Sequence, residues 1–157
     1  MAKIASRVLT FEQALQRAAS LCSVSEHCIQ DINTKLKNWG VNQSDAEKII
    51  DYLIDEKYID EARYAQAYTN DKFRFAHWGR IKIKAMLRLQ HISESHINEA
   101  LDNIPQEEYE EILDGVIKSK QRSMNECESF SARGKIIRFA LQRGFEMHEI
   151  SKFIDEY

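Results

Sequence analysis

Arg80, Lys84 and Arg88 stand four residues apart in the segment RIKIKAMLRLQ. At about 100° per residue, that spacing on a helix keeps the three side chains within an arc of about 80°, a single ridge, while Lys82 points elsewhere. Such a ridge can meet phosphates through salt-sensitive contacts, or the carboxylates of a protein partner. It can equally be a solvated helix face balanced by acidic stretches nearby, and both readings stay open. Lys72 and Arg74 just upstream, and Arg133, Lys135 and Arg138 further on, are candidates for the same surface.

Other chemistry is poorly supplied. The five histidines, His27, His77, His91, His96 and His148, lack the i, i+4 pairing of a helical metal site. Cys22, Cys28 and Cys127 are odd in number and form no paired CxxC, so neither a zinc site nor a disulfide framework is expected, and the thiols read as buried or inert. Glu107, Glu108, Glu110 and Glu111 form a dense carboxylate cluster, which the macrodipole favours at a hydrated helix start. There is no glycine-rich phosphate loop, no nucleophile elbow and no nucleophile with a base, so no enzyme, metal or cofactor is expected. The aromatics Tyr64, Tyr68, Phe73, Phe75 and Trp78 are read as filling the seams between helical modules, with base stacking or partner anchoring as the alternative.

The net charge of -3 over 157 residues argues against a simple nucleic-acid coat, but the charge is unevenly distributed. Residues 61–92 hold seven basic and two acidic groups, 93–115 hold eight acidic and no basic ones, and 116–143 again hold seven basic and two acidic. Alternating blocks of this kind can produce two separate basic surfaces under a near-neutral total. No apolar run approaches the roughly 18 residues of a membrane span, and reduced, cytoplasmic surroundings fit the cysteine usage.

The elements that would position these groups are helices, as one proline and five glycines suggest. Thr10 with Gln13 forms a capping box for a first helix. Ser23 with Glu26 is read as the start of a second, carrying Ile29, Ile32, Leu36 and Trp39 and stopped by Gly40. Ser44 with Glu47 is read as opening a third. Asp60 caps a long helix through Tyr64, Tyr68, Lys72 and Phe75, which Gly79 breaks, and Asp60 with Arg63 reads as a structural pair at its start. The basic helix follows, then an acidic one started by Ser95. Pro105 begins the next, 123–131 reads as a loop or frayed end, and two last helices carry Ile136 to Leu141 and Ile150 to Ile154.

The pattern occurs three times. With Val41, Ile92 and Phe145 in one column, at offsets of 51 and 53 residues, Ile32, Ile83 and Ile136 align. So do Leu36 and Leu87, then Ala46, Ile97 and Ile150, and Ile50, Leu101 and Ile154. No such unit buries its apolar face alone, so the expected fold is all-α: three tandem three-helix repeats, 10–57, 58–104 and 105–157, stacked into an elongated, curved array. Arg80 and Lys82 fall opposite Arg133 and Lys135 in the next unit, whereas the first unit offers Ile29 and Asp31.

YIDEARYAQAY from Tyr58, Gly79 with Ile83 and Leu87 before a turn at His91–Ile92, and INEAL from Ile97 together resemble the RecX family of RecA regulators. Lys57 and His91 stand where that family often has glycine, and Met86 where an acidic residue is common. The resemblance implies three tandem three-helix repeats and a non-enzymatic protein that binds RecA filaments on DNA. It would damp recombinase ATPase and strand exchange, acting as a monomer in recombinational DNA repair and the SOS response. Lys72, Arg74, Arg80, Lys82, Lys84, Arg88, Arg133, Lys135 and Arg138 are then the candidate contacts with RecA or with single- or double-stranded DNA. A direct DNA-binding module and a plain helical scaffold remain the alternatives.

Overall fold

The computed structural model describes residues 8–124 and 130–154. Within them the chain forms α1 (Phe11–Val24), α2 (Ile29–Asn38), α3 (Gln43–Asp55), α4 (Glu61–Arg74), α5 (Arg80–Leu89), α6 (Glu94–Asp102), α7 (Gln106–Ser123), α8 (Phe130–Gln142) and α9 (Met147–Ile154). No strand occurs among the described residues.

The helix starts follow from short polar side chains that can satisfy first-turn N–H groups. Thr10 and Gln13 form the expected box: the Gln13 N–H donates to Thr10 Oγ1 at 3.2 Å and the Thr10 N–H to Gln13 Oε1 at 3.0 Å. Three expected caps are displaced. Ser23 lies inside α1, donating to the Ala19 carbonyl at 2.9 Å, and the residue that precedes α2 as its cap is Cys28, whose N–H reaches Asp31. Ser44 and Ser95 sit inside the first turns of α3 and α6. The caps are Asn42 and Ser93, two residues earlier, where the backbone is still extended and a side-chain oxygen can turn back on it. Asp60 accepts from the Arg63 N–H at 3.0 Å as expected. Helix α4 ends at Arg74, short of Phe75, which is 82% exposed. In the expected loop at 123–131, Ser123 belongs to α7 and Phe130 and Ser131 to α8, and 125–129 lie outside the described residues.

The repeated positions share one environment. Ile32, Ile83 and Ile136 are buried, as are Leu36, Leu87 and Ala140 beneath them. The same holds for Ala46, Ile97 and Ile150, and for Ile50, Leu101 and Ile154. Correspondingly α2 packs on α3, α5 on α6 and α8 on α9, and α1 and α7 each pack on the pair that follows. Each buried Leu or Ile contributes about 1.5–3 kcal/mol, so these rows supply much of the driving force for folding.

The turn that ends the second helix of each set needs a left-handed residue: Gly40 (φ 79°), His91 (φ 60°) and Gly144 (φ 92°). At Gly40 and Gly144 the hydrogen bonds are those of a Schellman motif, Val41 N–H to Leu36 O at 3.0 Å and Phe145 N–H to Ala140 O at 3.2 Å. His91 adopts the same sign of φ without glycine's freedom, at a cost of about 1–2 kcal/mol. Lys57 (φ 60°), the other position where the sequence lacks an expected glycine, does so too.

The chain divides into two compact units, Met1–Tyr64 with Gln90–Ile92, and Ala65–Leu89 with Ser93–Tyr157. In the first, Ala14, Ala18, Ile32, Leu36, Ile49, Leu53 and Ile59 form the core, and Leu9, Phe11, Trp39 and Tyr58 close over it. Arg63 ties its loops together, donating to the Lys57 carbonyl at 3.0 Å, the Tyr58 carbonyl at 3.4 Å and the Glu26 carboxylate. In the second unit the centre is aromatic. Tyr109 is fully buried, stacked on Phe73 at 5.7 Å and tilted against Phe145 at 5.3 Å.

Candidate functional site

The start of α5, where the sequence places the basic ridge, is built from residues distant in the chain. Gly79, Arg80 and Ile81 have first-turn N–H groups with no helical partner. The Gly79 N–H donates to the Arg143 carbonyl at 2.7 Å, the Arg80 N–H to the Tyr109 hydroxyl at 3.1 Å and the Ile81 N–H to the Gly144 carbonyl at 3.0 Å. The turn after α8 therefore caps α5 by backbone contact. That contact is possible because both turns are glycine: a Cβ on Gly79 would lie 2.4 Å from the Gly144 carbonyl group, and one on Gly144 would lie 2.3 Å from Lys82 Cβ. With these donors taken, the N-terminus of α5 offers little to a phosphate.

Tyr109 completes the arrangement. Its hydroxyl accepts from Arg80 and donates to Glu146 Oε2 at 2.8 Å, and the Arg80 guanidinium lies 3.7 Å from the Tyr109 ring centroid. Burial pushes the phenol pKa far above its ordinary value, the Glu146 carboxylate adds to that, and the Arg80 contacts oppose it. Arg80 also donates to Gln106 at 3.1 Å and approaches Glu146 at 3.9 Å. This member of the ridge is a packing element.

The other candidates divide by whether their charge is answered. Arg74 is held by both oxygens of Glu108, at 3.0 and 3.4 Å. Arg88 bonds both oxygens of Glu94, and Lys84 approaches the same carboxylate at 3.8 Å. The salt-bridge hydrogen bond from Arg88 is the main cause that holds the Glu94 carboxyl below its usual range. Lys72 and Lys82 lie over the Trp78 ring, at 5.0 and 4.4 Å, and Tyr68 meets that ring edge-on at 6.5 Å. On α8, Arg133, Lys135 and Arg138 are all exposed, and Lys135 and Arg138 meet no carboxylate among the described residues. The ridge read from α5 is thus largely neutralised, and the more open positive charge belongs to α8.

The carboxylate cluster at the start of α7 is used in the same internal way. Glu108 holds Arg74, while Glu110 accepts from Gln106 at 2.9 Å and from Lys152 at 3.2 Å. Lys152 also reaches Glu149 at 3.0 Å, and Gln106 donates to both oxygens of that buried carboxylate at 3.1 Å. Burial works to raise the Glu149 pKa, but the bonds from Lys152 and Gln106 outweigh it and hold the carboxyl below its usual range. Of the aromatics, Tyr64 and Phe73 are buried, Tyr68 and Trp78 half-buried, and Phe75 is exposed rather than in a seam. Cys28 is buried and its thiol pushed up to about 11, first by that burial. Among the described residues no three His, Cys, Asp or Glu side chains converge as a metal site requires, and no helix is long and apolar enough to cross a membrane.

These features define an all-helical repeat protein with charged, solvent-facing helices. Residues 60–101 match the family model described as RecX, second three-helix domain. The chain is 26% identical over 129 residues to "Regulatory protein RecX" of Clostridium tetani, covering 81% of this chain and 59% of that protein. It is also 26% identical over 136 residues to the Vibrio parahaemolyticus protein of the same name, covering 87% and 86%. It thus spans less than two thirds of some relatives and most of others. The fold superposes on crystal structures of RecX from Lactobacillus salivarius (TM-score 0.81, 20% identity, 93% and 95% covered) and of a second regulatory protein RecX (TM-score 0.79, 23% identity, 92% and 73% covered). The chain is thus similar to RecX regulatory proteins, through a family-model match over residues 60–101 and distant likeness over most of its length.

Proposed function

We propose that this chain regulates a RecA recombinase by binding along RecA filaments on DNA and lowering their ATP hydrolysis and strand exchange, without catalysing a reaction itself. The observation that carries the reading is the match of residues 60–101 to the second three-helix domain of RecX. A chain of three repeats, 10–57, 58–104 and 105–157, would suit such a partner. Successive contacts on a polymer combine through effective concentration, so each can be weak. We place the chain in the cytoplasm as a monomer.

Arg133, Lys135 and Arg138 on α8 are the leading contact residues, because they face solvent. Lys82, Lys84 and Arg88 come next, since a partner's anion would have to compete with Trp78 or Glu94. Lys72 would compete likewise, and Arg74 and Arg80 contribute least, being held by Glu108 and by Tyr109 with Gln106. The test is co-sedimentation with cognate RecA filaments together with DNA-dependent ATP hydrolysis. Sub-stoichiometric chain lowers turnover and pellets with filaments; unchanged turnover with no pelleting rejects the proposal. The exposed cations of α8 favour a second reading, direct contact with DNA. It requires affinity without recombinase that falls steeply with salt, by about 0.9 in log–log slope for each phosphate contacted on duplex DNA.

A further inference from the structure

Helix α5 buries Ile83 and Leu87 completely. On its opposite side Ile81, Ala85 and Leu89 recur at i, i+4 and i+8. At about 100° per residue this row occupies an arc of about 80° centred roughly 180° from the buried pair. All three face solvent, Ile81 at 54% and Leu89 at 68% exposure. A lone exposed leucine is ordinary, but an apolar row along one helix face is a mark of an interaction surface.

The repeat supplies an internal control. At the equivalent positions α2 has Gln30, Thr34 and Asn38, and α8 has Gly134, Arg138 and Gln142. All three helices bury the same two positions against their neighbours, so packing does not demand apolar residues on the outer face. Only α5 carries them.

The borders of the row are basic, with Arg88 and Lys84 on one side and Lys82 on the other. Of these three cations, Arg88 and Lys84 share the single carboxylate of Glu94, and Lys82 rests over Trp78. An apolar strip between positive edges fits a segment that is apolar along its centre and acidic at its margins. We propose that the outer face of α5 is a docking site for an acidic amphipathic helix of a protein partner. Apolar residues at helical spacing cover Ile81, Ala85 and Leu89, and carboxylates meet Lys82, Lys84 and Arg88. A nucleic-acid backbone would satisfy the cations but leave Ile81 and Leu89 wet. A second copy of this chain is a poorer fit, since Glu108 and Glu110 are already engaged by Arg74 and Lys152. The assignment stands apart from the α8 surface and does not depend on the recombinase reading.

The test uses the full chain, isotopically labelled, titrated with two synthetic amphipathic peptides sharing one leucine row, one bordered by glutamate and one by lysine. The glutamate peptide shifts the amides of residues 81–89 and binds at least tenfold more tightly than the lysine peptide. Ile81→Gln with Leu89→Asn, which gives α5 the residues of α2, weakens it at least tenfold with unchanged thermal stability. Absence of shifts on α5, equal binding of the two peptides, or full binding by the double variant overturns the proposal. So does concentration-dependent self-association that the double variant abolishes, which would make a second copy the occupant.

Discussion

Helices α5 and α8 hold equivalent places in successive copies of one unit, yet they present different surfaces. On α5, Arg80 is folded onto Tyr109, Arg88 and Lys84 share Glu94, and an apolar row faces outward. On α8, Lys135 and Arg138 meet no carboxylate among the described residues, and no apolar row appears at the matching positions. The turns differ too: α8 ends at Gly144 and α5 at His91, both left-handed. Two buried positions per helix are enough to set the repeat, and the remaining faces are free to diverge. Gly144 is the exception, because it is fixed by what it supports, the first turn of α5.

The largest effect should come from that exception. Gly144→Ala puts a Cβ at 2.3 Å from Lys82 Cβ and 2.5 Å from its backbone nitrogen, in a left-handed residue. Strain and overpacking together cost about 3 kcal/mol or more, read by chemical denaturation. Gly40→Ala, where the nearest atom to the added Cβ is a Val8 side-chain carbon at 3.1 Å, costs about 1–2 kcal/mol. His91→Gly should have the opposite sign, a gain of about 0.5–1 kcal/mol, because relief of the left-handed strain exceeds the extra backbone entropy lost. Equal costs at Gly40 and Gly144 would remove the special role given to the contact between the glycines.

Tyr109→Phe keeps the aromatic stack and deletes the hydroxyl that joins Arg80 to Glu146. Leaving a buried N–H without its partner costs about 1–3 kcal/mol. Acid should expose a smaller contribution. The carboxyl of Glu149 has a lowered folded pKa, so its stabilisation is fully present above the ordinary value of 4.5 and is lost as pH falls through the folded value. Glu149→Gln should flatten that part of the stability curve measured between pH 6 and 3, roughly the window of the shift. Smallest of all, Lys84→Ala with Arg88→Ala should leave the denaturation midpoint close to that of the wild-type chain, since exposed pairs contribute little. A marked fall in that midpoint would show that α5 needs its charges for folding.

Much of this was legible in the sequence. The buried rows of Ile32, Ile83 and Ile136 and their companions appear as apolar residues at fixed offsets, because each copy must bury the same helix faces. The left-handed turns were legible from Gly40 and Gly144, and the want of glycine at Lys57 and His91 marked positions where positive φ occurs all the same. The caps at Asn42 and Ser93 were missed by two residues, because serines inside a first turn look like caps until backbone geometry is known. The capping of α5 by Tyr109 and the 143–144 turn joins groups 29 to 64 residues apart, which no local period encodes. The outer row of α5 was written at i, i+4 and i+8 all along, with the charges between its members drawing the eye instead.

DNA-dependent ATP hydrolysis by the cognate RecA, followed while the full chain is added at well below one copy per protomer, tests the functional proposal most directly. The account predicts that turnover falls and that Arg133→Ala with Lys135→Ala and Arg138→Ala relieves the fall without loss of thermal stability. Turnover that stays constant up to a full equivalent of the wild-type chain would contradict it.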